Sequence, residues 1–272
     1  MQWLTDFLFG ISFNIFGITF DLNNLAATVT NLCNWNTISS TTLWSLAQSL
    51  HSVIVPFGLS LLTLFAMLDL LKKAMEVERL TWERVAMAIV RFLIFKMLIE
   101  NSFRLLTAIM AISNDILTRA LSALGSLGSS PSLSEMVAGL FDGLGIIDTV
   151  IMVALLLLLY LPLIGTVVGV IVQVFVRIAK LILHFAYAPI PLAVGTWEDG
   201  VGVGKRFIMS TAALGVEALL IVACVQIYSM GMSQISNANA VSTMVAIMLL
   251  NGFLMFMISL TNQLAEKWTG GS

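Results

Sequence analysis

Apolar runs longer than about 18 residues recur along this chain, and a run of that length leaves one architecture open. In hydrocarbon every backbone N–H and C=O must find a partner within the protein, and a single apolar segment manages that only as an α-helix. Composition agrees: 59% of the 272 residues are hydrophobic and 10% are charged, whereas a soluble domain is about one quarter charged. A water-soluble fold is excluded. The expected class is an all-α integral membrane helical bundle, with about five transmembrane helices plus interfacial and broken, re-entrant helices.

The runs place spans at Leu43–Leu71, Val85–Ile112, Ile146–Val176, Phe207–Tyr228 and Val241–Leu264. The whole chain, 1–272, then reads as a single membrane domain. Residues 1–42 form an outer N-terminal interfacial region, 43–112 the first two spans, 113–145 an outer loop, 146–264 the last three spans and 265–272 a cytoplasmic tail. Within the first region Trp3–Phe20 is rich in Phe and Ile but interrupted by Asp6, Asn14 and glycines. It is expected as a helix in the interface or against the bundle, with a full span as the alternative. It lacks the basic start of a secretory signal, so the N-terminus is expected to be retained.

Basic residues set the orientation. Lys72, Lys73, Arg79 and Arg84 lie between the first two spans, Arg177, Lys180, Lys205 and Arg206 flank the stretch between the third and fourth, and Lys267 follows the fifth. The opposite connections carry Arg119 with Asp115, Glu135, Asp142 and Asp148. By the positive-inside rule the N-terminus is outside and the C-terminus cytoplasmic, in a multi-pass protein of the cytoplasmic membrane. Trp44, Trp82, Trp197 and Trp268 fall at span ends, where an amphipathic indole is most stable.

Two connections carry structure of their own. In the outer loop a Gly/Ser-rich hinge over 124–131 precedes Ser132-Leu-Ser-Glu135, a capping-box spacing that opens a short amphipathic helix with Met136, Val137, Leu140, Phe141 and Leu144 on one face. The apolar stretch 181–194 contains Pro189 and Pro191, and prolines so close together stop a continuous helix. That stretch must enter and leave from one side, or form the end of a long broken helix.

Charge inside the spans marks where chemistry or assembly could reside. The second span holds Arg91, Lys96, Glu100 and Arg104, each costing about 2.5–3.5 kcal/mol at mid-depth in lipid. Lys96, Glu100 and Arg104 are four residues apart and share a face. The fourth span has Glu217 near its centre, on one face with Ser210, Cys224 and Tyr228. Counted from the cytoplasmic ends, Glu217 and Lys96 lie at matched depth, roughly 15 Å in, and are predicted partners. The charged set forms either a buried ion pair or the wall of a water-facing lumen. Gln48, Ser52, Pro56, Ser60 and Thr63 make a small polar stripe on the first span, Asn251 and Gly252 sit inside the fifth, and Gly165 and Gly169 on the third make a small-xxx-small packing motif.

Catalytic and cofactor signatures are missing from the sequence. HExxH, GxSxG, CxxC and dinucleotide fingerprints do not occur, and Gly200–Arg206 departs from a phosphate loop at Asp199 and Arg206. Cys33 and Cys224 are too few for a disulfide framework, and His51 and His184 are far apart and expected on opposite sides. No enzyme, metal or cofactor is expected. The net charge of −2 gives no basic field of the kind that binds nucleic acid, although a passing polynucleotide remains compatible.

The outside N-terminal region, about five spans, extended outer connection and cytoplasmic C-terminus resemble the TrbL-like polytopic channel subunits of conjugative type IV secretion systems. Locally, Arg177-Ile-Ala-Lys180, Ala186-Tyr-Ala-Pro189-Ile-Pro191-Leu-Ala, Trp197 and the glycines from Gly200 to Gly204 look like the stretch such proteins carry before their last two spans. The resemblance implies a non-enzymatic subunit that contacts membrane lipids and forms a homo-oligomer. It implies work beside other secretion-machine subunits, including separate ATPases, with transient contact to the transferred DNA or protein. A proton- or ion-coupled secondary transporter, with Glu217 as the titrating group and Pro189/Pro191 as a discontinuous helix, is the alternative class. An odd number of spans and no internal repeat argue against it. A structural membrane scaffold is the third.

Overall fold

The structure, a computed structural model, describes residues 12–15, 18–21, 25–75, 82–124, 146–197, 200–235 and 240–269. Two short strands, β1 (Ser12–Ile15) and β2 (Ile18–Asp21), lead into helices α1 (Leu25–Cys33), α2 (Trp35–Ser39), α3 (Thr42–Met75), α4 (Trp82–Glu100), α5 (Ser102–Leu124), α6 (Ile146–Tyr187), α7 (Pro189–Val194), α8 (Val201–Gln234) and α9 (Ala240–Thr269). Apart from the strands this is an all-α bundle of the membrane type.

The strands correct the expected helix over Trp3–Phe20 where the two overlap. β1 and β2 pair antiparallel with Phe13 opposite Phe20, Ile15 opposite Ile18, Ser12 opposite Asp21 and Asn14 opposite Thr19. The sequence alternates apolar and polar with a period of two, and this register matches apolar to apolar and polar to polar. A two-residue connection is the usual length for a tight hairpin.

Among the described residues four helices are long and apolar enough to cross a membrane, within Thr42–Lys72, Ile164–Tyr187, Gly202–Gln234 and Val245–Thr269. The expected number was five. The missing one is Val85–Ile112, which the structure divides at Asn101 between α4 and α5. Arg91, Lys96 and Glu100 interrupt the apolar run of the first piece, and Arg104, Asp115 and Arg119 that of the second. At the junction Asn101 Nδ2 and Asn101 N both donate to the Met97 carbonyl, at 3.0 and 3.1 Å, the local competition with the helix ladder that short amide side chains introduce. The other helices overrun their expected ends, because helical hydrogen bonding continues where apolar composition stops. The Gly/Ser hinge from 125 onward and the expected helix over 132–144 lie outside the described residues.

At the double proline, α6 continues to Tyr187 and the chain resumes as α7 from Pro189. Without N–H groups, Pro189 and Pro191 cannot donate to the carbonyls four residues earlier, which ends the long helix there. The stretch is therefore the end of a long broken helix.

The chain divides into two compact units, residues 1–41, 115–177 and 217–262 in the first, and 42–114, 178–216 and 263–272 in the second. Helices α5, α6, α8 and α9 contribute to both. In the first, α1 packs on β2 and α2 and buries Leu25, Val29, Leu32 and Cys33, one stripe at helical spacing, while α2 buries Trp35 and Ile38. Asn34 caps α2, its Oδ1 accepting from Asn36 N at 2.9 Å. The Asn/Thr-rich stretch before Thr42 thus holds part of a core. In the second unit α3, α4 and α7 pack together. A Cβ at Gly58 on α3 would lie 2.6 Å from Pro189 Cβ, and one at Gly195 would lie 2.7 Å from Phe95 Cε1 on α4, so α7 is held where only glycine leaves room. Trp44 packs on Phe103 and Phe185, with ring centroids 5.0 and 4.7 Å away, and Trp197 stacks on Phe65.

Candidate functional site

Two charged features stand out, one in each unit. On α4, Lys96 Nζ lies 3.9 Å from Glu100 Oε1, with the side chains 48% and 46% exposed. Arg104, one turn further on α5, is also exposed. The pair follows from i,i+4 spacing on a helix. In the same unit the polar positions on α3, Gln48, Ser52, Pro56, Ser60 and Thr63, are exposed. Their hydroxyls donate to their own helix, Ser52 to Ser49 O, Ser60 to Pro56 O and Thr63 to Ser60 O.

The second feature is a set of buried titratable groups in the first unit. Arg177 is 1% exposed on α6, Glu217 is 6% exposed on α8 and Cys33 is 3% exposed at the end of α1. Burial pushes the Cys33 thiol up to about 11, with the Arg177 guanidinium pulling it down and the Glu217 carboxylate adding to the rise. Lys96 and Glu217, the predicted partners, belong to different units. Lys96 has Glu100 on its own helix, while Arg177 and Glu217 are both buried in the other unit. Arg177 had been assigned to a cytoplasmic flank because the third span was ended at Val176; with α6 running to Tyr187, it falls inside a candidate span. The missed signal was Pro189, which places the helix end ten residues beyond Arg177.

Further along the Glu217 face, Tyr228 OH donates to Asn251 Oδ1 at 3.4 Å, and Asn251 Nδ2 donates to Ile247 O at 2.8 Å. This joins α8 to α9 through buried polar groups. Tyr228→Phe is expected to cost about 0.5–1.5 kcal/mol, as for one net hydrogen bond, read from the unfolding midpoint in detergent.

Both histidines belong to the second unit, and each meets a serine with opposite polarity. Ser102 Oγ donates to Ile99 O, so His51 Nε2 donates to Ser102 Oγ at 2.9 Å. His184 Nδ1 donates to Lys180 O at 3.0 Å, which leaves Nε2 to accept from Ser210 Oγ at 3.1 Å. Phe207 stacks on the His184 ring.

The glycine motif divides. A Cβ at Gly169 would meet the end of the Met255 side chain at 3.0 Å, whereas no described atom lies within 4 Å of one at Gly165. Among the described residues no group of three or more His, Cys, Asp or Glu is placed to hold a metal ion.

The fold and these sites define an all-helical membrane protein. Comparison with protein-family models, curated proteins and solved structures finds no match to this chain.

Proposed function

We propose that this chain is a non-enzymatic channel or scaffold subunit of a conjugative type IV secretion machine, helping DNA or protein across the cytoplasmic membrane. It works as a homo-oligomer beside other subunits, with separate ATPases supplying energy. The observation that supports this reading is the exposed row of Lys96, Glu100 and Arg104. In lipid such a row costs several kcal/mol, so it needs water in a lumen or a neighbouring protomer against it. The exposed polar stripe on α3 makes the same demand more weakly. An orientation with the N-terminus outside and the C-terminus inside follows the positive-inside rule, from Lys72, Lys73, Lys205, Arg206 and Lys267 near span ends. The alternative is a proton- or ion-coupled transporter with Glu217, buried on α8, as the titrating group.

The test uses single cysteines at positions 96, 100 and 104, with Cys33 and Cys224 replaced, in an assembled system treated with a membrane-impermeant thiol reagent. Labelling at these positions, or disulfide cross-links between protomers through them, is the expected result. Uniform protection without cross-links removes the row from both lumen and interface. A monomer in mild detergent would favour the transporter.

A further inference from the structure

We propose that Arg104 is the selector of the conduit, an unpaired guanidinium repeated in every protomer that makes the lined passage a path for anions. The inference rests on the channel reading above and names what that channel favours. Charge along the exposed face of α4 and α5 comes in pairs except at one position. Lys96 and Glu100 form one pair at 3.9 Å, Asp115 and Arg119 another at 3.0 Å, and all four side chains are exposed. Each i,i+4 pair is neutral as a whole. Arg104 lies one turn beyond Glu100 and, on α5, about three turns before Asp115. It is exposed, and among the described residues no ion pair includes it. A neighbouring copy does not supply the missing charge. Copies inserted with one orientation and related by an axis along the membrane normal present equal depths to one another, so Arg104 faces Arg104. The Glu100 carboxylates, one turn away, are paired with Lys96. A ring of like guanidiniums calls for water and mobile counter-ions, and rings of Arg or Lys are how pores favour anions. A passage lined by one sign of charge between low-dielectric walls concentrates the opposite ion by about ten-fold or more. Ala108 and Ala111, small and exposed on the same helix, leave room for water beside the ring.

The full chain, reconstituted in planar lipid bilayers across a potassium chloride gradient, reports the preference as the sign of the reversal potential. Wild type is expected to pass chloride over potassium by about ten-fold, Arg104→Gln to lose the preference, and Arg104→Glu to reverse it. Asp115→Asn together with Arg119→Gln removes a neutral pair and is expected to keep the anion preference. Currents whose selectivity ignores position 104 overturn the selector and leave the channel standing. A second reading does not need an open passage. With Cys33 and Cys224 replaced, Ala108→Cys places a thiol one turn beyond Arg104, where it is treated with an anionic and a cationic methanethiosulfonate of similar size. The ratio of anionic to cationic labelling rate is expected to fall about ten-fold on Arg104→Gln, and Arg104→Glu should favour the cationic reagent. A ratio that does not follow position 104 overturns the selector. If neither reagent reaches position 108 and no variant conducts, the face is dry, and the channel reading fails together with the selector.

Discussion

Arg177→Met is expected to destabilise the protein by about 3–5 kcal/mol, the range for breaking a buried charge pair by removing one partner. Arg177 is the largest fully buried side chain described, and Glu217 is a buried carboxylate in the same unit, which makes the two the candidates to compensate each other. Glu217→Gln should cost a similar amount for the mirror reason. The double variant should lose much less than the sum, since a buried ion pair replaced by neutral groups of similar volume is often close to neutral. Unfolding by denaturant in detergent, followed by tryptophan fluorescence, gives the three values. Additivity within about 0.5 kcal/mol would mean that the charges are uncoupled. The same cycle with Lys96→Met in place of Arg177→Met is expected to be additive. Its single effect should be no more than about 1 kcal/mol, because Lys96 and Glu100 form a half-exposed i,i+4 pair.

Gly58→Val should be among the most damaging changes of a glycine within the spans, costing about 1–3 kcal/mol or more as overpacking does. The added Cβ would stand 2.6 Å from the Pro189 ring and 3.1 Å from the Pro189 carbonyl oxygen. Neither is the free end of a flexible side chain, so α7 has to shift. Gly165→Ala and Gly252→Ala are the controls. Both positions open on space, and the gain there is expected to be about 0.4–1 kcal/mol from the reduced freedom of the unfolded chain. A Gly165→Leu variant that keeps the stability of the monomer but fails to oligomerise would place the Gly165 and Gly169 motif at a contact between protomers.

Much of the helical plan was legible in the sequence, because a run of apolar residues reports burial in lipid directly. What escaped depends on contacts between distant residues. Gly58 looks like any other helical glycine until Pro189 is brought against it, and nothing local to α1 announces that Cys33 will be buried. Arg177 was misplaced for a simpler reason: positive-inside counting treats a basic residue at the edge of a span as a flank, and the edge was drawn eleven residues early. The β-hairpin was hidden because Phe and Ile suit an interfacial helix and a strand equally, and only their period of two separates the cases. Fine placement of the charged groups is tertiary information.

The length of α6 carries a consequence of its own. Its 42 residues extend about 63 Å at about 1.5 Å per residue, twice the roughly 30 Å of a bilayer's hydrocarbon core. Fitting all of it into one straight crossing would take a tilt of about 60°, beyond the 0–40° that membrane helices adopt. The segment Ile164–Tyr187 suffices for a crossing, yet residues 146–163 are more apolar still, with Asp148 their one charge. A single passage through lipid therefore accounts for only part of this helix, and the apolar surplus needs a greasy surface of its own.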